Sequence, residues 1–405
     1  MGEKRIMYSD KLTIKTSSFN TDLQENDIKI MTPGPTQVAE NVRAARSYIT
    51  TNPDLDERFY DFYKETCDKI ASMLHTENEV YILGGEGILG LEAACASLTE
   101  PGDRVLVIDN GIFGKGFADF VSLYEGEPVL FSTDYHTPVK KDDLKAFLDK
   151  DSNFKYATVV HSDTPSGILN PVDELCPLLK SYGIMTVVDS VTGMFADELY
   201  VDKSQIDIVC GGSQKAISAP PGLTIVAVSQ DAKNAMESRK TPIRSFYANL
   251  LTFKTYYKDK WFPYTMPISD IYGLRTAIDN IGTDTNHLYR HKTIASAVRN
   301  ALVSAGLSLY LKDGYASSVT VFNTPDGMTD TDILSMMRDR YHIMIAGCFD
   351  VLAGKVIRIG HMGNNANVED VAATLSALQK TLENLGFKCN ADMEKVFRNG
   401  LDSTD

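Results

Sequence analysis

"VYILGGEGILGLEAACASLTEPGDRVLVID", residues 80–109, decides the fold. Residues 80–83 are an apolar strand, a glycine-rich turn follows, residues 88–98 carry a helical pattern, "EPGD" turns the chain, and "RVLVID" (104–109) is a second strand. Two short, nearly all-apolar strands joined by a helix form one unit of a parallel sheet buried on both faces. The alternation continues with "PVLF", a helix near 141–149, "YATVV" (156–160), a helix near 171–181, "IMTVVD" (184–189) and "IDIVC" (206–210). It predicts an α/β domain around a mostly parallel sheet, with ligands gathered beyond the carboxyl ends of its strands.

After about residue 280 the texture changes. A helix carrying Leu288, Ala295, Val298 and Leu302 ends near Gly306, and "SSVTVFN" reads as a strand. A helix opens at "TDTD" (329–332), strands "HIMIA" and "KVIRIG" follow, and a last helix carries Val368, Val371, Leu375, Leu378 and Leu382. The expected organisation is an N-terminal arm over 1–30, a large ligand-binding domain over 31–280, a small α+β domain over 281–390 and a tail over 391–405. The arm is polar and weakly patterned, and is expected to become ordered by lying on a second subunit.

The 405 residues are 43% hydrophobic, enough for a substantial core. Forty Lys+Arg against 54 Asp+Glu give a net charge of −14 spread along the chain, which argues against nucleic acid or anionic membrane as partner and favours a small molecule. Six scattered cysteines, without CxxC spacing, read as reduced thiols of a cytoplasmic protein. No apolar run approaches the ~18 residues of a membrane span, and neither a signal-peptide pattern nor a peroxisomal address is visible. The seven histidines, His161 and His361 among them, show no metal-ligand spacing, so no metal is expected.

"DIVCGGSQKAISAPPGL" (207–223) sets Lys215 just past a strand and before a loop of small residues and prolines. Partial desolvation lowers a lysine's pKa and frees it to form a Schiff base, although most loop lysines are simply solvated. Asp189 ends an apolar strand, where it is either a turn former or an acid projecting from the ligand edge; pyridoxal chemistry needs such an acid to keep the ring nitrogen protonated. The turn "LGGEG" offers backbone N–H groups to an anion. It has neither the lysine of a nucleoside triphosphate loop nor the spaced glycines of a dinucleotide fold.

With these residues in place, the chain resembles the class V aminotransferases of fold type I, in the alanine-glyoxylate and serine-pyruvate branch. The matching motifs are "MTPGPT" (31–36), "EPGDRVLV", "NGIFGKGF" (110–117), "HSDTPSGILNP" (161–171), "VVDSVTGM" (187–194), "GGSQKAISAPPGL" (211–223) and "VIRIGHMG" (356–363), in family order over roughly 30–385. The resemblance implies a large domain on a seven-stranded type of sheet and a smaller C-terminal α+β domain. It makes Lys215 the Schiff-base lysine, Asp189 the partner of the ring nitrogen and Phe113 the stacking aromatic. Thr164 falls beside the ring oxygen, and Gly85, Glu86, Gly87 and Gln214 fall around the phosphate. Gly34 and Arg358 are placed at the substrate carboxylate, a task suited to a guanidinium. Thr265 would reach the partner subunit's phosphate site in a homodimer or dimer of dimers. The implied partners are an amino acid and a 2-oxo acid.

Glu86 departs from the branch, because a carboxylate in a phosphate cradle repels a dianion. In this it is similar to the pyridoxamine-pyruvate transaminases, for which unphosphorylated pyridoxal or pyridoxamine is the covalently bound substrate. Two features differ from that subgroup: Phe349 stands where a second arginine is expected, and "SQK" is closer to the phosphate binders. Four alternatives stay open: an aminotransferase that retains pyridoxal 5'-phosphate and acts on alanine or serine with glyoxylate or pyruvate, a noncatalytic B6 carrier, a desulfurase-like lyase and, most weakly, a nucleotide-dependent dehydrogenase.

Overall fold

The computed structural model describes residues 28–401; the arm up to residue 27, and residues 402–405, lie outside the described residues. Seven strands form one sheet: β1 (Glu79–Gly84), β2 (Arg104–Asp109), β3 (Glu127–Ser132), β4 (Tyr156–Val160), β5 (Met185–Asp189), β6 (Ile208–Gly212) and β7 (Leu223–Val228). Their spatial order is β1-β7-β6-β5-β4-β2-β3. β7 runs antiparallel to both of its neighbours, and the other pairs are parallel. Every residue of β4, β6 and β7 is buried, as continuous apolar strands between two helical layers should be.

The strand expected at 206–210 begins two residues later. Asp207 is withdrawn to bind the neighbouring elements: its Oδ2 accepts from Thr186 N of β5 at 2.9 Å, and its Oδ1 accepts from Ser229 Oγ at 3.0 Å and Lys180 Nζ at 2.9 Å. The two glycines thus belong to the strand, where a Cβ on Gly211 would stand 2.2 Å from Met194 Sδ. β7 and the helices Glu57–Met73, Ile112–Leu123 and Ile268–Thr283 are additions to the elements read from the sequence.

Side chains from Val42 to Ile278, joined by Met362, build the first apolar core. A second core gathers Met31 with side chains from Ile294 to Phe397. Within it, Val319–Asn323 pairs antiparallel with Val356–Gly360. The "HIMIA" strand shrinks to Ile343–Met344, paired in parallel with Lys29–Ile30. Residues set apart as a tail form the helix Met393–Leu401, whose Met393 and Phe397 are fully buried. All six cysteines are unpaired, and no described helix is long and apolar enough to cross a membrane.

Candidate active site

The carboxyl ends of β1, β5 and β6 converge on a pocket lined by Glu86, Phe113, Thr164, Asp189 and Lys215, five of the residues singled out in the sequence. Lys215 sits in the connection between β6 and β7, which Ser213 ties shut: its N–H donates to Leu223 O at 3.0 Å and its Oγ to Pro220 O at 2.7 Å. Lys215 Nζ donates to Pro33 O at 2.8 Å. Burial, assisted by the charge of Arg358, pushes the amine down to about 8 against the pull of Glu86 and Asp189. Gly34 makes room for it: at φ +112° a Cβ there would fall 2.5 Å from Lys215 Cδ.

Asp189 ends β5. Burial pushes its carboxyl up to about 7, opposed by the Val191 N–H, which donates to Oδ1 at 2.9 Å. Its Oδ2 makes no hydrogen bond with the described residues. Phe113 lies in the first turn of Ile112–Leu123. That helix starts against Asp163, whose carboxylate accepts from Phe113 N at 3.3 Å and Ser166 Oγ at 2.6 Å. A side chain at Gly111 would collide with this carboxylate.

Glu86 is the N-cap of Gly87–Leu98, accepting from Ile88 N at 3.0 Å, and its other oxygen takes the Gln214 side-chain amide. The carboxylate therefore stands at the positive end of a three-turn helix, a position that attracts anions. Gln214 is buried, and its Oε1 has no partner among the described residues. Gly85 and Gly87 allow the close packing on either side of Glu86, since their Cβ atoms would meet Leu89 at 2.4 Å and Val191 at 2.9 Å.

Arg358, on Val356–Gly360, reaches the site from the second core. It is buried, donates through Nε to Gly347 O at 2.7 Å and through Nη1 to Thr164 O at 3.4 Å, and lies 5.8 Å from the ring of Phe349. Phe349 meets Phe113 edge-on at 6.1 Å between ring centroids. Thr265 is not brought to the pocket: it is exposed and donates to Asp54 Oδ2 at 3.1 Å.

Sequence reasoning did not pick out Thr192, whose hydroxyl makes a short hydrogen bond with Thr164, or Asp163, which anchors Phe113. Both lie inside motifs quoted for the resemblance, three residues after Asp189 and one before Thr164, and that adjacency was the available signal. As a test of chemistry, the set fits a pyridoxal-type ring: a desolvated amine, a buried acid with one free oxygen, an aromatic wall and a guanidinium.

A family model described as aminotransferase class-V matches residues 32–373. The pyridoxamine-pyruvate transaminase of Mesorhizobium japonicum is 32% identical over 341 residues, covering 83% of this chain and 86% of the relative. The crystal structure of pyridoxamine-pyruvate aminotransferase from Mesorhizobium loti superimposes with a TM-score of 0.89 at 28% identity, over 93% of this chain and 98% of that one. Ureidoglycine-glyoxylate aminotransferase from Bacillus subtilis gives the same TM-score at 26% identity with the same coverages.

Proposed function

Because the chain belongs to the class-V aminotransferases, we propose that it moves an amino group between pyridoxamine and pyruvate, running in reverse with pyridoxal and L-alanine, and that Lys215 engages the unphosphorylated vitamer covalently. The B6 ring, when bound, supplies the electron sink that weakens the bond to the substrate's Cα proton. Lys215 acts first as nucleophile and then as the base and acid that carries this proton, roles served by an amine that titrates at about 8. Asp189 is the acid that holds the ring nitrogen, Phe113 and Thr164 border the ring, and Arg358 takes the α-carboxylate. Gly34 keeps the lysine's path open.

Glu86 carries the choice of vitamer. Its carboxylate already fills the helix terminus, with Ile88 N–H and the Gln214 amide as donors. A phosphate brought there would displace that carboxylate from its donors and meet its charge. One observation favours the alternative in which pyridoxal 5'-phosphate is retained: Phe349, 45% exposed, supplies no second cation for a carboxylate substrate.

A homodimer completes this reading. Ile49 and Leu55, in the segment that carries Asp54, and Trp261, in the segment that carries Thr265, are 97%, 80% and 56% exposed, apolar surface suited to a second copy. Thr265 then serves the partner's site.

Incubation with pyridoxal and with pyridoxal 5'-phosphate in separate samples, followed by L-alanine, tests the reading through pyruvate release. Pyruvate from free pyridoxal supports it. Pyruvate from the phosphate ester alone overturns it in favour of the phosphate-retaining alternative. Borohydride reduction and peptide mapping should place the label on Lys215, and light scattering should report a dimer.

A further inference from the structure

Arg358 keeps part of its guanidinium open. Nε is used on Gly347 O and Nη1 on Thr164 O, whereas Nη2 makes no hydrogen bond with the described residues and is not sealed from solvent. A ligand oxygen can therefore reach it. The rest of the pocket has nothing for a second carboxylate: its described lining includes the acids Glu86 and Asp189, and Lys215 is the only cation in it. With Lys215 committed to the vitamer, Arg358 alone neutralises substrate charge.

Phe349 borders this seat. Its ring lies 5.8 Å from the centre of the guanidinium and, edge-on, 6.1 Å from the ring of Phe113, so an apolar corner joins the cation to the aromatic wall. The loop that carries Phe349 is fixed on both sides. Gly347 O accepts from Arg358 Nε at 2.7 Å, and Leu352 is buried among Val319, Val321 and Val356. Asp350 follows the phenyl ring directly, exposed, at φ +53°, and opens the short 3-10 helix Asp350–Leu352. Burial raises the Cys348 thiol, Asp163 and Asp350 add to the rise, and Arg358 opposes it. The fields of the cation and of both acids thus overlap beside Phe349.

We propose that Phe349 and Asp350 are specificity-determining residues: an apolar ring backed by a negative charge meets the substrate side chain and restricts Arg358 to amino acids with a single carboxylate. A side chain bearing a second carboxylate would exchange water for a phenyl ring, with no cation to pair with and with Asp350 repelling it. The proposal rests on amino transfer at Lys215 and holds for the free and for the phosphorylated vitamer.

The test is the apparent second-order rate constant with which L-alanine, L-aspartate and L-glutamate discharge the lysine adduct in a single turnover, followed by absorbance and by the 2-oxo acid released. Each series is run with pyridoxal and with pyridoxal 5'-phosphate. In the wild type, L-alanine should exceed both dicarboxylic acids by more than about tenfold. In Phe349→Arg the ratio should fall by about tenfold or more for at least one of them, because a cation then faces the second carboxylate. In Phe349→Leu, which keeps the wall apolar, it should change by less than about threefold. Each ratio is taken within one protein, so a general loss of lysine reactivity cancels. Asp350→Asn keeps a residue that tolerates the left-handed backbone and should lower the ratio severalfold, less so at high salt.

The proposal is overturned if the wild type accepts L-aspartate or L-glutamate within tenfold of L-alanine, if Phe349→Arg leaves both ratios unchanged, or if Phe349→Leu lowers them as far as Phe349→Arg does. Should circular dichroism show that Phe349→Arg fails to fold, Asp350→Asn decides: a severalfold fall supports the assignment, and an unchanged ratio refutes it. The vitamer reading fails separately, by L-alanine discharging the phosphate-ester adduct alone, and the ratios are then read on that ester. No discharge by L-alanine from either adduct overturns amino transfer itself and this proposal with it.

Discussion

Glu86→Gln isolates the charge that we hold responsible for vitamer choice. Glutamine retains an oxygen for Ile88 N and can still pair with the Gln214 amide, so the helix cap survives while the negative charge goes. Glu86 is exposed, so its field is screened by water. At ~5 Å, with an effective dielectric of ~40–80, a single charge and a phosphate dianion repel by about 1.7–3.3 kcal/mol, or roughly 15- to 250-fold in affinity. The quantity to measure is the ratio of dissociation constants for pyridoxal and pyridoxal 5'-phosphate, each obtained from the absorbance of the lysine adduct. Taking the ratio cancels any general loss of folding or of lysine reactivity. It should shift toward the phosphate ester by that factor, and the shift should shrink as salt is added. A change below about threefold would refute the electrostatic argument and return Glu86 to the role of a plain helix cap.

Asp189 should leave its mark on stability against pH. The folded chain keeps the Asp189 proton up to about pH 7, whereas the unfolded chain releases it near 4, so the folded state binds more protons and stability falls as pH rises between those limits. In ligand-free Asp189→Asn, denaturant unfolding at the two ends of this window should recover up to ~4 kcal/mol of the loss, with Asp197 leaving a smaller slope of the same sign. Lys215 acts in a separate window: its depressed pKa makes stability rise from about pH 8 toward 10.5. Gly34→Ala forces a Cβ onto the lysine at a backbone angle disfavoured for alanine, at a cost of ~1–3 kcal/mol; borohydride labelling of Lys215 should drop while circular dichroism stays the same. Arg358→Lys should raise KM for the amino acid roughly tenfold to a hundredfold with a smaller change in kcat, because one ammonium cannot replace the planar fork.

Most of the large sheet was legible because its strands are apolar on both faces, a pattern that needs no knowledge of neighbours. Ile112–Leu123 was hidden: Gly114 and Gly116 lower its helical propensity, and the carboxylate that starts it, Asp163, lies far along the chain. The "HIMIA" strand was shortened because its partner is a two-residue segment from the opposite end of the sequence. In the site, Lys215 and Asp189 stood out because an amine and an acid at strand ends have no packing role. Thr192 did not, since its importance lies in a hydroxyl contact with another strand's loop. Thr265 does not line its own chain's pocket, and single-chain geometry gives its hydroxyl Asp54 as partner.

The segment around Met31 is threaded into the second core. Lys29 N donates to His342 O and Met31 N to Met344 O, each at 2.8 Å, and Met31 O receives Gly360 N at 2.8 Å. In chain order this ribbon is made well before its docking groove, residues 342–360. The nascent chain must therefore carry it unpaired until that groove has been made, and the later segment then closes over it like a clasp.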